Sequence, residues 1–354
     1  MEPTQPEAGS AAVPTTVGHL LRQHSMNPVR GTRATSSTQK KWADEYEPIT
    51  KVAFHPQSGQ AAFESAFPEL DNNDDDDAVR FREPAYPPNY RKWRLKTEED
   101  VAAWFNTEVS NVVLPAWART PVLLQRSRAE PLTEQTIEIA VDAVYSFKRT
   151  DATRVPVAIG EFKHNLIDSS WETGKPSIPQ RSLSRELRGF AYRYQCPHVF
   201  CFDGSYFLML QFKAGAVEDI KSSECEVDCW ILPRIGSQTT LRYAFYRLLV
   251  QGFRRCQSMY PTQTPLYGHQ PSYREFFSGR PVFNIGGESM SNPWGLVRKV
   301  DAAIGAFYWA DEAGPVQDHD GTFIYDTQSL WEPPGAQVPR PTEAEGMDTD
   351  IHNA

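Results

Sequence analysis

Nowhere in its 354 residues does the chain hold a run of 18 apolar residues, which excludes an ordinary transmembrane helix. Met1 to Arg22 has no charged opening followed by an apolar stretch, so the sequence predicts an intracellular protein, nuclear or cytoplasmic, and no secretion. Cysteine is scarce. The five residues, Cys196, Cys201, Cys225, Cys229 and Cys256, are an odd number at uneven spacings, without the C-x-x-C pairs of a zinc site. Reduced thiols fit that pattern better than a disulfide framework. No internal repeat is visible. Proline is plentiful, at 28 residues, and the mean hydropathy is −0.52, so part of the chain is not packed. Even so, 40% apolar and 12% aromatic residues suffice for a substantial core.

The net charge of −9 argues, taken whole, against a polyanionic partner. The charge is unevenly spread. Residues 81–310 hold 28 Lys and Arg against 23 Asp and Glu, a net of +5, whereas the remainder holds 8 against 22, a net of −14. Phosphate binding depends on local positive surface, which a mildly basic centre permits. Residues 1–80 mix Pro, Ser, Thr, Gln and Gly with little apolar periodicity and read as a disordered N-terminal tail. Within it, Asp71–Asp77 reads as a solvated acidic linker, because consecutive like charges repel and do not converge on one ion. Residues 314–354, again acidic and rich in proline, read as a disordered C-terminal tail.

Between the tails, 81–313 reads as one α/β domain. Thr97-Glu-Glu-Asp100 has the form of a capping box, and Val101, Trp104, Phe105, Val109 and Val112 follow at helical spacing, predicting a helix over 98–113 that Pro115 ends. Residues 136–147 and 155–163 read as two strands of a hairpin joined by the polar turn 148–154. Residues 182–194 carry a helical stripe of Leu183, Leu187, Phe190, Ala191 and Tyr194. Strands follow at 198–202 and 206–212 around the Asp203-Gly204 turn, then a strand at 227–232 and a helix at 241–253. Beyond Arg255 no element is assigned.

The hairpin carries the chemistry. Asp142 and Glu161 are equidistant from the turn centre at Asp151/Ala152, so an antiparallel pairing makes them cross-strand neighbours. Strand alternation sets Lys163 on the face of Glu161, and His164 away from it. Two such carboxylates repel unless a cation or a proton lies between them. A hard ion such as Mg²⁺ accepts one or two carboxylates together with water and phosphate oxygens, while a lysine can position or activate water, a combination suited to phosphodiester hydrolysis. Glu186 borders the inward stripe of its helix and either joins this group or pairs with an arginine of that helix. Arg181, Arg185 and Arg188 crowd the same helix as a candidate phosphate rim, and Tyr192 is a candidate for base stacking.

Asp142, then Gly160-Glu-Phe-Lys163 on the next strand, then Glu186-Leu-Arg-Gly-Phe-Ala-Tyr192 on a helix, resembles the PD-(D/E)XK nuclease superfamily, most of all the nuclease-like domains common in filamentous fungi. The resemblance covers residues 97–215. Val141 stands where the motif's name has Pro, and Glu186 where many members carry Gln. It implies a restriction-endonuclease-like core, a mixed central sheet flanked by helices. It also implies Mg²⁺, or Mn²⁺ in its place, on Asp142 and Glu161, Lys163 acting on the attacking water, Glu186 assisting, and nucleic acid, foremost DNA, as partner. The alternative is an inactive module on the same fold that binds nucleic acid or a protein; metal-independent binding and indifference to loss of Lys163 would distinguish it.

Overall fold

The structure, a computed structural model, describes residues 15–31, 35–37, 40–56, 63–64, 67, 74–119, 122–129, 139–149, 153–301 and 303–329. In chain order the first elements are β1 (Thr15–Thr16), α1 (Val17–Leu21), β2 (Val29–Gly31), a 3-10 turn at Lys41–Glu45 and β3 (Val52–Phe54). Next come α2 (Asp74–Phe81), β4 (Pro84–Ala85), β5 (Trp93–Leu95), α3 (Glu98–Phe105), β6 (Leu124–Ala129), β7 (Val141–Lys148) and β8 (Arg154–Phe162). Then α4 (Ile178–Arg193), β9 (His198–Phe202), β10 (Tyr206–Phe212), β11 (Val227–Pro233) and α5 (Leu241–Met259) complete the central layers. Six short strands follow: β12 (Tyr273–Arg274), β13 (Pro281–Ile285), β14 (Glu288–Met290), β15 (Val297–Asp301), β16 (Ala306–Asp311) and β17 (Gly314–Pro315).

The centre is a mixed seven-stranded sheet in the order β3-β11-β10-β9-β8-β7-β6. The pairs β8–β9 and β3–β11 are parallel and the rest antiparallel. Helices cover both faces, which is why β7 to β10 are apolar along nearly their whole length rather than in strict alternation. On one face α3 and α5 pack, with Phe105, Phe200, Phe207 and Phe245 in mutual ring contact. On the other, Leu183, Leu187 and Phe190 of α4 meet Ile159, Val199, Cys201 and Leu208 of the sheet. Among the described residues no helix is long and apolar enough to cross a membrane. All five cysteines are free and buried.

The helix expected at 98–113 starts on the Thr97 capping box, with Thr97 Oγ1 accepting from Asp100 N–H and Asp100 returning the bond. It then widens into a π turn at Asn106–Ser110, resumes over Asn111–Val113 and closes as a 3-10 turn at Leu114–Trp117 with Pro115 near its start. The π turn sets Glu108 on the buried side, where Ser25, Asn27 and Trp93 donate to it. The helix at 182–194 begins a turn earlier, at Ile178, where Pro179 fits the first turn because its missing N–H would have no partner there. The first three residues of the predicted strand 136–147 lie outside the described residues.

The two tails need correcting. Much of 15–81 is ordered. Val17, Leu20 and Leu21 of α1 are in the core, β3 joins the central sheet, and Trp42 and Tyr46 pack on α4. The linker reading of Asp71–Asp77 fails at its described end: Asp74–Phe81 is helical, and Asp77 accepts from Tyr246 (2.5 Å) and Arg247 (3.3 Å). At the other end, Gly314–Ser329 is folded against β15 and β16, and Asp326 is fully buried against Arg274 and Arg298. The N-terminal pieces are three to eight residues long, and all are held by long-range contacts, so no local period betrays them. Residues 1–14 and 330–354 lie outside the described set.

Candidate functional site

The β7–β8 pairing sets Ala143 opposite Gly160, Val144 opposite Ile159 and Tyr145 opposite Ala158. One step further along this register stand Asp142 and Glu161, as the hairpin geometry predicts. Asp142 Oδ2 accepts the N–H of Phe162 at 2.8 Å, which fixes its carboxylate across the strand pair. A bulge at Tyr145/Ser146 shifts the pairing only nearer the turn. Gly160 is required here: a Cβ at this position would lie 1.9 Å from the ring of Phe200 on β9.

Lys163 follows the end of β8, its N–H donating to Phe202 O (3.0 Å) and so continuing the parallel ladder. Its Nζ lies 2.7 Å from Glu161 Oε1 and 3.0 Å from Glu186 Oε1. Glu186 therefore turns toward the sheet rather than toward an arginine of its own helix. The three side chains are 3% exposed or less. Sequence reasoning missed a fourth member. Lys40, read as part of a tail, places Nζ 2.6 Å from Glu186 Oε1 and 3.1 Å from Glu161 Oε1, with a third of its side chain in solvent. Lys40 is delivered by the 3-10 turn behind it. Trp42 meets Phe190 at 5.0 Å, and the close approach to α4 exists because residue 189 is glycine, whose Cβ would otherwise lie 2.5 Å from Trp42. On its other side Ser36 exchanges two bonds with His164, N–H to O at 2.9 Å and N–H to Oγ at 2.8 Å. Nothing local in the sequence ties Lys40 to strand β8, 121 residues away.

Burial pushes the Asp142 carboxyl up to about 6, with the Glu161 charge adding to it. Burial likewise raises Glu186, again with help from Glu161. Glu161 is held low: burial opposes its charge, but Lys163 and then Lys40 outweigh that. Lys163 is raised above an ordinary lysine because Glu161 and Glu186 more than offset its burial. It is thus a firm ammonium, able to donate hydrogen bonds to water or phosphate and unable to take a proton as it stands.

Glu161 Oε2 and Glu186 Oε2 are buried without a hydrogen-bond donor among the described residues. The bare Glu161 oxygen, across the strand pair from Asp142, is the kind of hard donor a Mg²⁺ ion takes, one or two carboxylates sufficing when water and phosphate fill the rest. Among the described residues no group of three His, Cys, Asp or Glu side chains is placed to hold a metal unaided.

The anticipated phosphate rim on α4 is only partly available. Arg188 is fully buried, its guanidinium donating to the carbonyls of Ile220 (2.8 Å) and Ser222, so it is structural. Arg185 faces Asp44 at 3.7 Å, and the Tyr192 ring lies under the Lys221 ammonium at 4.0 Å. Arg181 is exposed. His164 points away from Glu161 as alternation predicts, its Nε2 lying 3.3 Å from Leu95 O. The comparisons with known proteins add no name to this geometry: no family model, curated protein or solved structure matches the chain.

Proposed function

We propose that the chain is a Mg²⁺-dependent nuclease of the PD-(D/E)XK kind that hydrolyses phosphodiester bonds of nucleic acid, foremost DNA. The observation carrying this reading is the convergence of Lys163 with Glu161 and Glu186 beneath α4, with Asp142 across the hairpin. Asp142 and Glu161 would hold the ion, which when bound supplies Lewis acidity toward phosphate and a more acidic water. Lys163, kept charged by its two carboxylates, orients the attacking water and offsets charge on the phosphate. Glu186, raised by burial, accepts a proton near neutral pH more readily than a surface glutamate and assists there.

A second reading has its own support. Lys40 and Lys163 already balance the charges of Glu161 and Glu186 without a metal, which suits a binding module on the same fold. The full chain incubated with single- and double-stranded DNA and RNA, in Mg²⁺, Mn²⁺ or EDTA, separates the two. Cleavage that needs the metal and is lost in Asp142→Asn and Lys163→Met, with circular dichroism unchanged, is the expected result. No cleavage of any substrate by the folded wild-type chain would leave the binding module.

A further inference from the structure

Strands β2 and β5 form a two-stranded parallel ribbon of their own, outside the central sheet. Its register sets Arg30 beside Arg94, and both are exposed. Lys92 and Lys96 flank Arg94 at period two and are likewise exposed, while Trp93 and Leu95 between them are buried. Arg30 and Arg94 thus stand side by side on the ribbon, with the exposed Lys92 and Lys96 immediately before and after β5. None of the four has an ion-pair partner among the described residues. Like charges set side by side on paired strands repel, so this face costs the folded chain stability until an anion covers it. Asp100 spends its carboxylate on the N–H groups of Lys96 and Thr97 at the start of α3.

The ribbon is also held rigid from beneath. Trp93 Nε1 donates to the buried Glu108 (2.8 Å), Trp93 N–H to Pro28 O (2.9 Å) and Arg91 N–H to Asn27 Oδ1 (3.1 Å). Just before it, Tyr86 and Tyr90 are 60% and 74% exposed, flat faces on which bases can stack. The ribbon meets the chain just past β8, on the side of the sheet opposite α4. Leu95 O is 3.3 Å from the ring of His164, the residue after Lys163, and Ser36, five residues past β2, pairs with the backbone of that same histidine.

We infer that the paired Arg30 and Arg94 of the β2–β5 ribbon, with Lys92 and Lys96 beside them, form a docking strip for a nucleic-acid backbone. The cations extend beyond the pair to residues on both sides of β5, a spread suited to a polyanion rather than to one small anion. The occupant is a nucleic-acid strand because the strip combines positive charge with exposed aromatic rings. The inference takes the nuclease reading for the polymer's fate, and its test does not depend on cleavage.

The measurement is fluorescence anisotropy of a labelled DNA strand, its duplex and the matching RNA, titrated with the full chain in EDTA across a salt series. Each phosphate contact contributes about 0.7–0.9 to the slope of log affinity against log salt. The exposed double variant Arg30→Gln/Arg94→Gln is expected to flatten that slope by about 1.4–1.8 and to weaken binding about 25- to 60-fold near 0.1 M salt. Lys148→Gln/Lys299→Gln makes the same charge change on exposed residues elsewhere and is expected to leave the slope within about 0.5 of the wild type. Equal losses in both double variants, or a wild-type chain that binds none of the three polymers, would overturn the strip. If wild type cleaves and Arg30→Gln/Arg94→Gln binds normally, the strip fails and the nuclease reading stands. If the strip variant loses binding while wild type cleaves nothing, the strip stands and the nuclease reading fails.

Discussion

Asp142 is the acid whose titration reports on the cluster. Burial, and after it Glu161, raise its carboxyl to about 6, against about 3.9 in an unfolded chain. Between those values the folded chain holds the extra proton. Its stabilising contribution is complete below the unfolded value and lost as pH rises through 6, a difference of about 2–3 kcal/mol. Asp142→Asn carries no such proton. Thermal melts from pH 4 to 7 without metal should show wild type losing stability relative to Asp142→Asn, with the variant at least as stable at pH 7. A constant gap between them would mean that Asp142 is ordinarily solvated. Activity should run the other way, rising through the same window as the acid ionises. The sequence was enough to place Asp142, Glu161 and Lys163, because strand period and hairpin symmetry are local rules. It left open whether Glu186 turned inward, a choice made by Lys163 and Lys40 rather than by helix spacing. It misassigned Arg188, which a helical wheel sets beside solvent-facing neighbours but whose guanidinium serves the carbonyls of Ile220 and Ser222.

At the scale of elements, the decisive contact is between the Lys41–Glu45 turn and α4. Gly189 leaves room for Trp42 and Tyr46, and those rings carry Lys40 to the carboxylates. In Gly189→Val the added carbons meet two rings, a clash of the kind that costs about 1–3 kcal/mol, and relief comes most readily by lifting the turn. Lys40 then leaves Glu161 and Glu186. Calorimetric titration with Mn²⁺ should show tighter binding to Gly189→Val than to wild type, because an ammonium no longer competes for the same oxygens. Lys40→Met should do the same without the loss of stability. Weaker Mn²⁺ binding in both variants would show instead that Lys40 helps to shape the ion's site. Elements with a long apolar period were legible: β9 and β10 match the reading at both ends, and α5 starts where expected but runs six residues further, to Met259. The turn at Lys41–Glu45, like β2 and β5, is too short to carry a period, and its place follows from partners far along the chain.

For the whole molecule, the question is whether the strands after α5 fold with the central sheet or beside it. The contacts favour folding together. Arg298 donates to Ser258 (2.6 Å), Gln257 to Gly305 O (3.1 Å) and Arg255 to Phe276 O (2.5 Å), while Phe276 and Phe277 N–H groups bond Gly215 and Ala214 (2.8 and 2.9 Å). Asp326 is the keystone of that region. Its carboxylate takes both terminal nitrogens of Arg274 at 2.8 Å and Arg298 at 2.7 Å, all three groups buried. Asp326→Ala leaves two guanidinium groups buried without their counter-charge, a loss of about 3–5 kcal/mol. Because α5 packs against both the sheet and these strands, that cost should lower the melting temperature of the entire molecule in one transition. Calorimetry resolves the alternative: a separate low-temperature peak in Asp326→Ala, with the main transition unmoved, would make the C-terminal strands an independent unit. A single shifted peak would mean that residues 260–329 belong to the scaffold that keeps α5, and through it the sheet bearing Glu161 and Lys163, in place.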